Sequence, residues 1–173
     1  HHAATVMDVD VVLCPADSEG RLIGAQLRSC IERYHDSGAG QIFAIVASAG
    51  TTNLGIVDDL ESVSEVAKEA GIWLHVDGAY GGAALAAPSK RAIFAGIENA
   101  DSFIVDPHKW LFAPYDSCAL IYRDGALARA AHAQHAVYLD AVDHDAPNPS
   151  ELAIHLSRRV RGLPFWFSLA THG

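Results

Sequence analysis

The chain has 173 residues, half of them hydrophobic and 19% charged, with a formal charge of −9. That length and composition suit one globular domain with a buried core and exclude a disordered chain, and the acidity argues against a nucleic-acid partner. No apolar run reaches the roughly 18 residues of a membrane span, and His1 to Asp10 lacks the basic-then-apolar layout of a secretory leader, so a cytoplasmic location is expected.

Val9 to Leu13 is a short apolar run ending at Pro15 and reads as a strand. Ile23, Leu27, Ile31 and Tyr34 keep a helical spacing that runs out at Gly38. Gln41 to Ser48 is a continuous apolar run of strand length, the kind buried on both faces. After Gly50-Thr51-Thr52, Asp58 and Glu61 have the spacing of a capping box, with Asp in place of Ser or Thr. Leu60, Val63, Val66, Ala67 and Ala70 then form an apolar stripe, and Gly71 marks the helix end. Ile72 to Val76 reads as a strand, Pro88 to Ile97 as a short helix, and Ser102 to Val105 and Cys118 to Tyr122 as two further strands. Tyr138 to Ser150 is polar, rich in Asp and Pro, and reads as a loop. Leu152, Leu156 and Val160 suggest a last helix carrying Arg158, Arg159 and Arg161, whose expected role is ion pairing, ahead of the apolar stretch Pro164 to Leu169. There is no internal repeat, and the ending at Thr171-His172-Gly173 suggests a fragment.

Strands alternating with helices imply an α/β fold, with a mainly parallel sheet and helices on both faces. Ligands of such sheets bind beyond the carboxyl ends of the strands. That rule selects Thr51-Thr52, Asp77, and Asp106 to Lys109, each directly after a predicted strand. No G-x-G-x-x-G follows a strand, which argues against a dinucleotide site. Of the ten histidines, no two have helical HxxxH spacing with acidic neighbours, and no metal site is expected. Cys14, Cys30 and Cys118 form no CxxC pair and are expected as buried free thiols in a reducing compartment.

A lysine after a strand is ordinarily a solvated charge. Lys109, however, lies between His108 and Trp110 and precedes Leu111-Phe112. Those neighbours are expected to desolvate the ammonium and favour the neutral amine that a Schiff base needs. Asp77 ends a strand where burial is expected. It serves either as a cap for the following turn or as the partner of a protonated pyridine nitrogen.

The segments His75-Val76-Asp77-Gly78-Ala79-Tyr80-Gly81-Gly82, Ala100-Asp101-Ser102-Phe103 and Asp106-Pro107-His108-Lys109-Trp110 resemble the group II pyridoxal 5′-phosphate (PLP) dependent decarboxylases, the family of aromatic-L-amino-acid decarboxylase. Ala49-Gly50-Thr51-Thr52 and Asn53-Leu54-Gly55 match that family's preceding turn, and the likeness runs from about Val9 to Gly173. It implies a fold-type I, PLP-dependent transferase-like large domain. Residues 1–173 would be a single incomplete part of it, without the N-terminal segment and the C-terminal small domain, and inactive alone. It also implies decarboxylation of an L-amino acid, aromatic by this likeness, to the amine and CO2 in a homodimeric parent.

By the same resemblance, Lys109 carries the cofactor, Asp77 pairs with the pyridine nitrogen and Ala79 packs its methyl near the ring. Thr52 sits by the cofactor or the substrate carboxylate. His108 and Asp106 lie at the phosphate end, where Asp106 replaces the family's frequent Asn. Tyr138, in a mobile loop at about 138–150, protonates Cα after CO2 leaves; a Phe there goes with oxidative deamination in related enzymes. The family's ring-stacking His and Gly/Ser phosphate turn would fall before residue 1. The rival readings are another enzyme of the fold (an aminotransferase, a desulfurase or an aldehyde synthase) and a non-catalytic fragment.

Overall fold

The computed structural model describes residues 2–132 and 148–173. The helices are α1 (His2–Met7), α2 (Gly24–Asp36), α3 (Leu60–Ala70), α4 (Gly125–His132) and α5 (Gly162–His172). The strands are β1 (Ala44–Ser48), β2 (Trp73–Asp77), β3 (Ser102–Val105) and β4 (Ala119–Tyr122), ordered β1-β2-β3-β4. β1, β2 and β3 run parallel, and β4 closes the edge antiparallel to β3. Three short 3-10 turns, Gly81–Ala86, Pro88–Phe94 and Ile97–Asn99, connect β2 to β3.

The core follows the alternation of each strand. Ile45 and Ala47 of β1 and Leu74 and Val76 of β2 are buried with Leu60, Val63, Val66 and Ala67 of α3, Leu27 of α2, and Phe94. The opposite face is not covered by the described residues, and Val46 is 62% exposed. The expectation that β1 is buried on both faces is corrected here, because α2 and α3 lie on one side only.

Several other expectations are corrected. Val9 to Leu13 forms no strand, and Leu13 is exposed: the segment does not pair with the free edge of β1, the outer strand of the sheet among the described residues. The helix expected from Leu152, Leu156 and Val160 does not form: Leu152 ends a 3-10 turn, Pro149–Leu152, and residues 153–161 are not helical. Arg159 and Arg161 in this segment pair instead with Asp116, Arg161 Nη2 at 3.1 Å from its Oδ2, and the two cations hold that carboxyl below its ordinary range. Pro88–Phe94 winds as a 3-10 turn rather than an α-helix. Of the three free cysteines only Cys30 is buried, while Cys118 is exposed. Burial and a hydrogen bond with Cys30 push the Cys14 thiol up to about 12.

The start of α3 also differs by one residue. Asp59, not Asp58, is the N-cap and accepts from the Ser62 amide, while Gly71 ends the helix in the left-handed region as expected. Asp58 instead accepts from the Leu22 and Ser48 amides, at 2.7 Å each, tying the segment before α2 to the end of β1. Burial pushes its carboxyl up, and the two amide hydrogen bonds pull it down. Asp58→Ala leaves both amides unpaired and is expected to cost about 2–4 kcal/mol. A lowered urea midpoint of the full-length protein is the check, with an unchanged midpoint refuting this role.

Candidate active site

The carboxyl ends of the three parallel strands meet at one cleft, as the topology requires. β1 delivers Ser48 and the loop Gly50-Thr51-Thr52-Asn53-Leu54, β2 delivers Asp77, Ala79 and Tyr80, and the turn after β3 delivers Lys109. The cleft has a volume of about 570 Å³. Its first loop is fixed internally: the Gly50 and Thr51 amides both donate to the Ile56 carbonyl, and Thr51 Oγ1 accepts from the Ile56 amide. Thr52 is left exposed at the cleft wall.

The first two loops touch through glycine. The Gly81 amide donates to the Gly50 carbonyl at 3.1 Å. A Cβ on Gly81 would stand 2.4 Å from Gly50 Cα, and Gly50 itself has φ +96°. Both positions therefore exclude a side chain.

Asp77 is exposed rather than buried, which corrects the expectation. A carboxylate at the very end of β2 has only the loop backbone beyond it. Its Oδ1 accepts from the Ala79 amide at 3.0 Å, and Oδ2 has no hydrogen-bond donor among the described residues. On the same strand face His75 Nδ1 meets Ser102 Oγ at 2.8 Å, which also accepts from Trp73 Nε1. Burial lowers His75 below its ordinary value, and the Asp77 charge acts the other way.

Lys109 is also not desolvated as expected. Its side chain is 39% exposed, and Trp110 and Phe112 are themselves exposed, so they do not wall it off. Trp110 stacks on Tyr80 at 5.5 Å, and Lys109 Nζ lies 2.8 Å from Asp106 Oδ2. His108 turns away from the cleft lining: Nδ1 is 2.5 Å from the Ser117 carbonyl oxygen, and the ring packs edge-on against Tyr115.

The cleft thus gathers Lys109, Asp77, Thr52 and Ala79. His108 and Asp106 stand in the same turn as Lys109 but do not line it, and Tyr138 lies outside the described residues. Sequence reasoning missed Ser48, Tyr80 and Cys118. Tyr80 was within reach, as the aromatic of the quoted Ala79-Tyr80 segment. Cys118 meets Asp106 only through the antiparallel pairing of β3 with β4, which spacing does not encode.

This donor set fits a pyridoxal cofactor. An amine for its aldehyde and a carboxylate oxygen free of donors, able to pair with its ring nitrogen, share one cleft with a small residue, Ala79, between them.

A family model described as "Pyridoxal-dependent decarboxylase conserved domain" matches residues 1–173. Aromatic-L-amino-acid decarboxylase of Drosophila lebanonensis is 37% identical over 163 residues, covering 92% of this chain and 40% of that protein. The 3,4-dihydroxyphenylacetaldehyde synthase of Aedes aegypti is 35% identical over 164 residues, covering 93% of this chain and 31% of that protein. The crystal structure of Oryza sativa TDC with PLP and tryptamine superposes with a TM-score of 0.89 at 28% identity, over 99% of this chain and 36% of that one. The chain therefore spans well under half the length of the relatives it matches.

Proposed function

The chain belongs to the pyridoxal-dependent decarboxylase family, and from that premise we propose that it forms the lysine-bearing part of a PLP-dependent carboxy-lyase converting an aromatic L-amino acid to its amine and CO2. The observation that carries this reading is the presence of Lys109 and Asp77 on neighbouring parallel-strand ends in one cleft. When bound, PLP supplies an electron sink for the charge developing at the substrate Cα.

The chain's own residues then have distinct tasks. Lys109 Nζ would hold the cofactor through its aldehyde carbon. Asp77 Oδ2 keeps a proton at the pyridine nitrogen, while its Oδ1 stays committed to the Ala79 amide, which fixes the carboxylate's orientation. Ala79 flanks the ring. Thr52, also on the cleft lining, would hold and orient the substrate carboxylate, and orientation decides which Cα bond breaks. His108 serves the phosphate end. Tyr138 delivers the proton to Cα. A homodimeric parent belongs to the same reading and rests on the family likeness. A cytoplasmic setting is supported by the three free thiols.

The Aedes aegypti relative motivates a second reading, aldehyde formation. Incubating the full-length protein with aromatic L-amino acids separates the two. Amine and CO2 in equal amounts are expected; aldehyde and ammonia, formed with consumption of dioxygen as the oxidant, would overturn simple decarboxylation in favour of the rival. Tyr138→Phe should shift the products of the same assay towards aldehyde, since Phe lacks the proton to give. An unchanged amine yield would remove Tyr138 from the mechanism.

A further inference from the structure

The position before Pro107 holds a carboxylate whose place in the fold is settled from three sides. Asp106 N–H donates to the Ala79 carbonyl at 3.1 Å, and the Asp106 carbonyl accepts from the Lys109 amide at 2.9 Å. Pro107 between them is fully buried. This tight turn brings Asp106 Oδ2 to 2.8 Å from Lys109 Nζ, with the carboxylate side chain only 13% exposed. Just before β4, the largely exposed Cys118 thiol neighbours the same carboxylate; partial burial and hydrogen bonding to Asp106 push the thiol up to about 11, so it stays an S–H group. Asp106 is thus fixed through its own backbone while its carboxylate faces the Lys109 ammonium. One residue links it to the acid that lines the cleft, because Ala79 accepts from the Asp106 amide at its carbonyl and donates its own N–H to Asp77.

We propose that Asp106 is the positioning residue of Lys109: it is the counter-ion that parks the unattached ammonium at the end of β3, and this pair must break before the lysine can capture the cofactor. The inference rests on the reading of Lys109 as the anchor, and it gives Asp106 a partner other than the phosphate. Capture requires the ammonium to release a proton to solvent. The amine nitrogen then bonds to the aldehyde carbon, and the aldehyde oxygen leaves as water. The contact at 2.8 Å holds Nζ against Asp106, so it must open before the nitrogen can reach the aldehyde carbon. The charged groups facing Nζ among the described residues are Asp106 itself and, across the cleft, Asp77; Cys118 is neutral.

The test is the rate of borohydride-trapped adduct on the Lys109 peptide of the full-length protein freed of cofactor. It is measured with pyridoxal 5′-phosphate and separately with pyridoxal, which lacks the phosphate. Asp106→Asn should accelerate capture of both aldehydes by roughly fivefold, the scale of a half-exposed ion pair. Asp106→Glu, which keeps a carboxylate, should return the rate towards that of the parent. Cys118→Ala, which removes one donor to the carboxylate and leaves the ion pair, should stay slow and guards against Asp106→Asn failing to fold. An unchanged or slower rate in Asp106→Asn overturns the proposal. So does acceleration confined to the phosphorylated aldehyde, which would make Asp106 a phosphate neighbour. Absence of any Lys109 adduct in the parent protein sinks the anchor reading instead, so the two failures are distinguishable.

Discussion

Lys109→Ala is expected to abolish covalent attachment of the cofactor and to lower kcat on the order of 10⁴-fold or more, the scale of losing a covalent catalyst. The expectation comes from position. Lys109 is the one lysine that lines the cleft, while Lys68 belongs to α3 and Lys90 to the 3-10 turn Pro88–Phe94. The absorbance of the attached cofactor and the rate of CO2 release measure the two effects independently. A variant that binds no cofactor covalently yet keeps parental turnover would place the anchor elsewhere. The change also removes the cation from the Asp106 carboxylate, which is only 13% exposed, so Tm is measured beside activity to separate a folding loss from the loss of the anchor.

Gly81→Ala is expected to produce a large structural effect at the cleft. The added methyl would stand 2.4 Å from Gly50 Cα and 2.7 Å from the Ala49 carbonyl oxygen. Both are backbone atoms, so no rotamer change relieves the contact, and the loops after β1 and β2 must separate. A cost of about 3 kcal/mol follows from overpacking of this kind. Separation would also carry Thr52 away from Asp77, so cofactor affinity should fall together with Tm. Gly125→Ala provides the control, since a methyl there meets nothing within 4 Å. Equal stability of the two variants would show that the loops do not depend on the glycine contact.

The parts of the fold legible in sequence are those written by local pattern. The apolar runs gave β2, β3 and β4 to within a residue, and the stripe from Leu60 to Ala70 gave α3 with its stop at Gly71. The cofactor segments placed Lys109, Asp77, Thr52 and Ala79 at strand ends, and the parallel order β1-β2-β3 brings all four to one cleft. What sequence left hidden depends on contacts between distant segments. Val9 to Leu13 has a strand's composition but does not pair with the free edge of β1. Asp58 and Asp59 are adjacent carboxylates, and only the position of the Leu22 and Ser48 amides decides that the first staples segments while the second caps the helix. The exposure of Asp77 and Lys109 goes with a sheet face that the described residues leave uncovered and with the open cleft mouth, which a run of apolar neighbours in sequence does not report. The Asp106–Lys109 pair could have been suspected from an i,i+3 spacing across a proline turn; its reinforcement by Cys118 could not, because that contact is made by the register of β4 on β3.

The most direct test of the account is borohydride reduction of the full-length protein incubated with pyridoxal 5′-phosphate, followed by peptide mass mapping. The account predicts a pyridoxyl group on the peptide containing Asp106-Pro107-His108-Lys109-Trp110, attached at Lys109. An adduct on Lys68 or Lys90, or none in a folded protein, would contradict it.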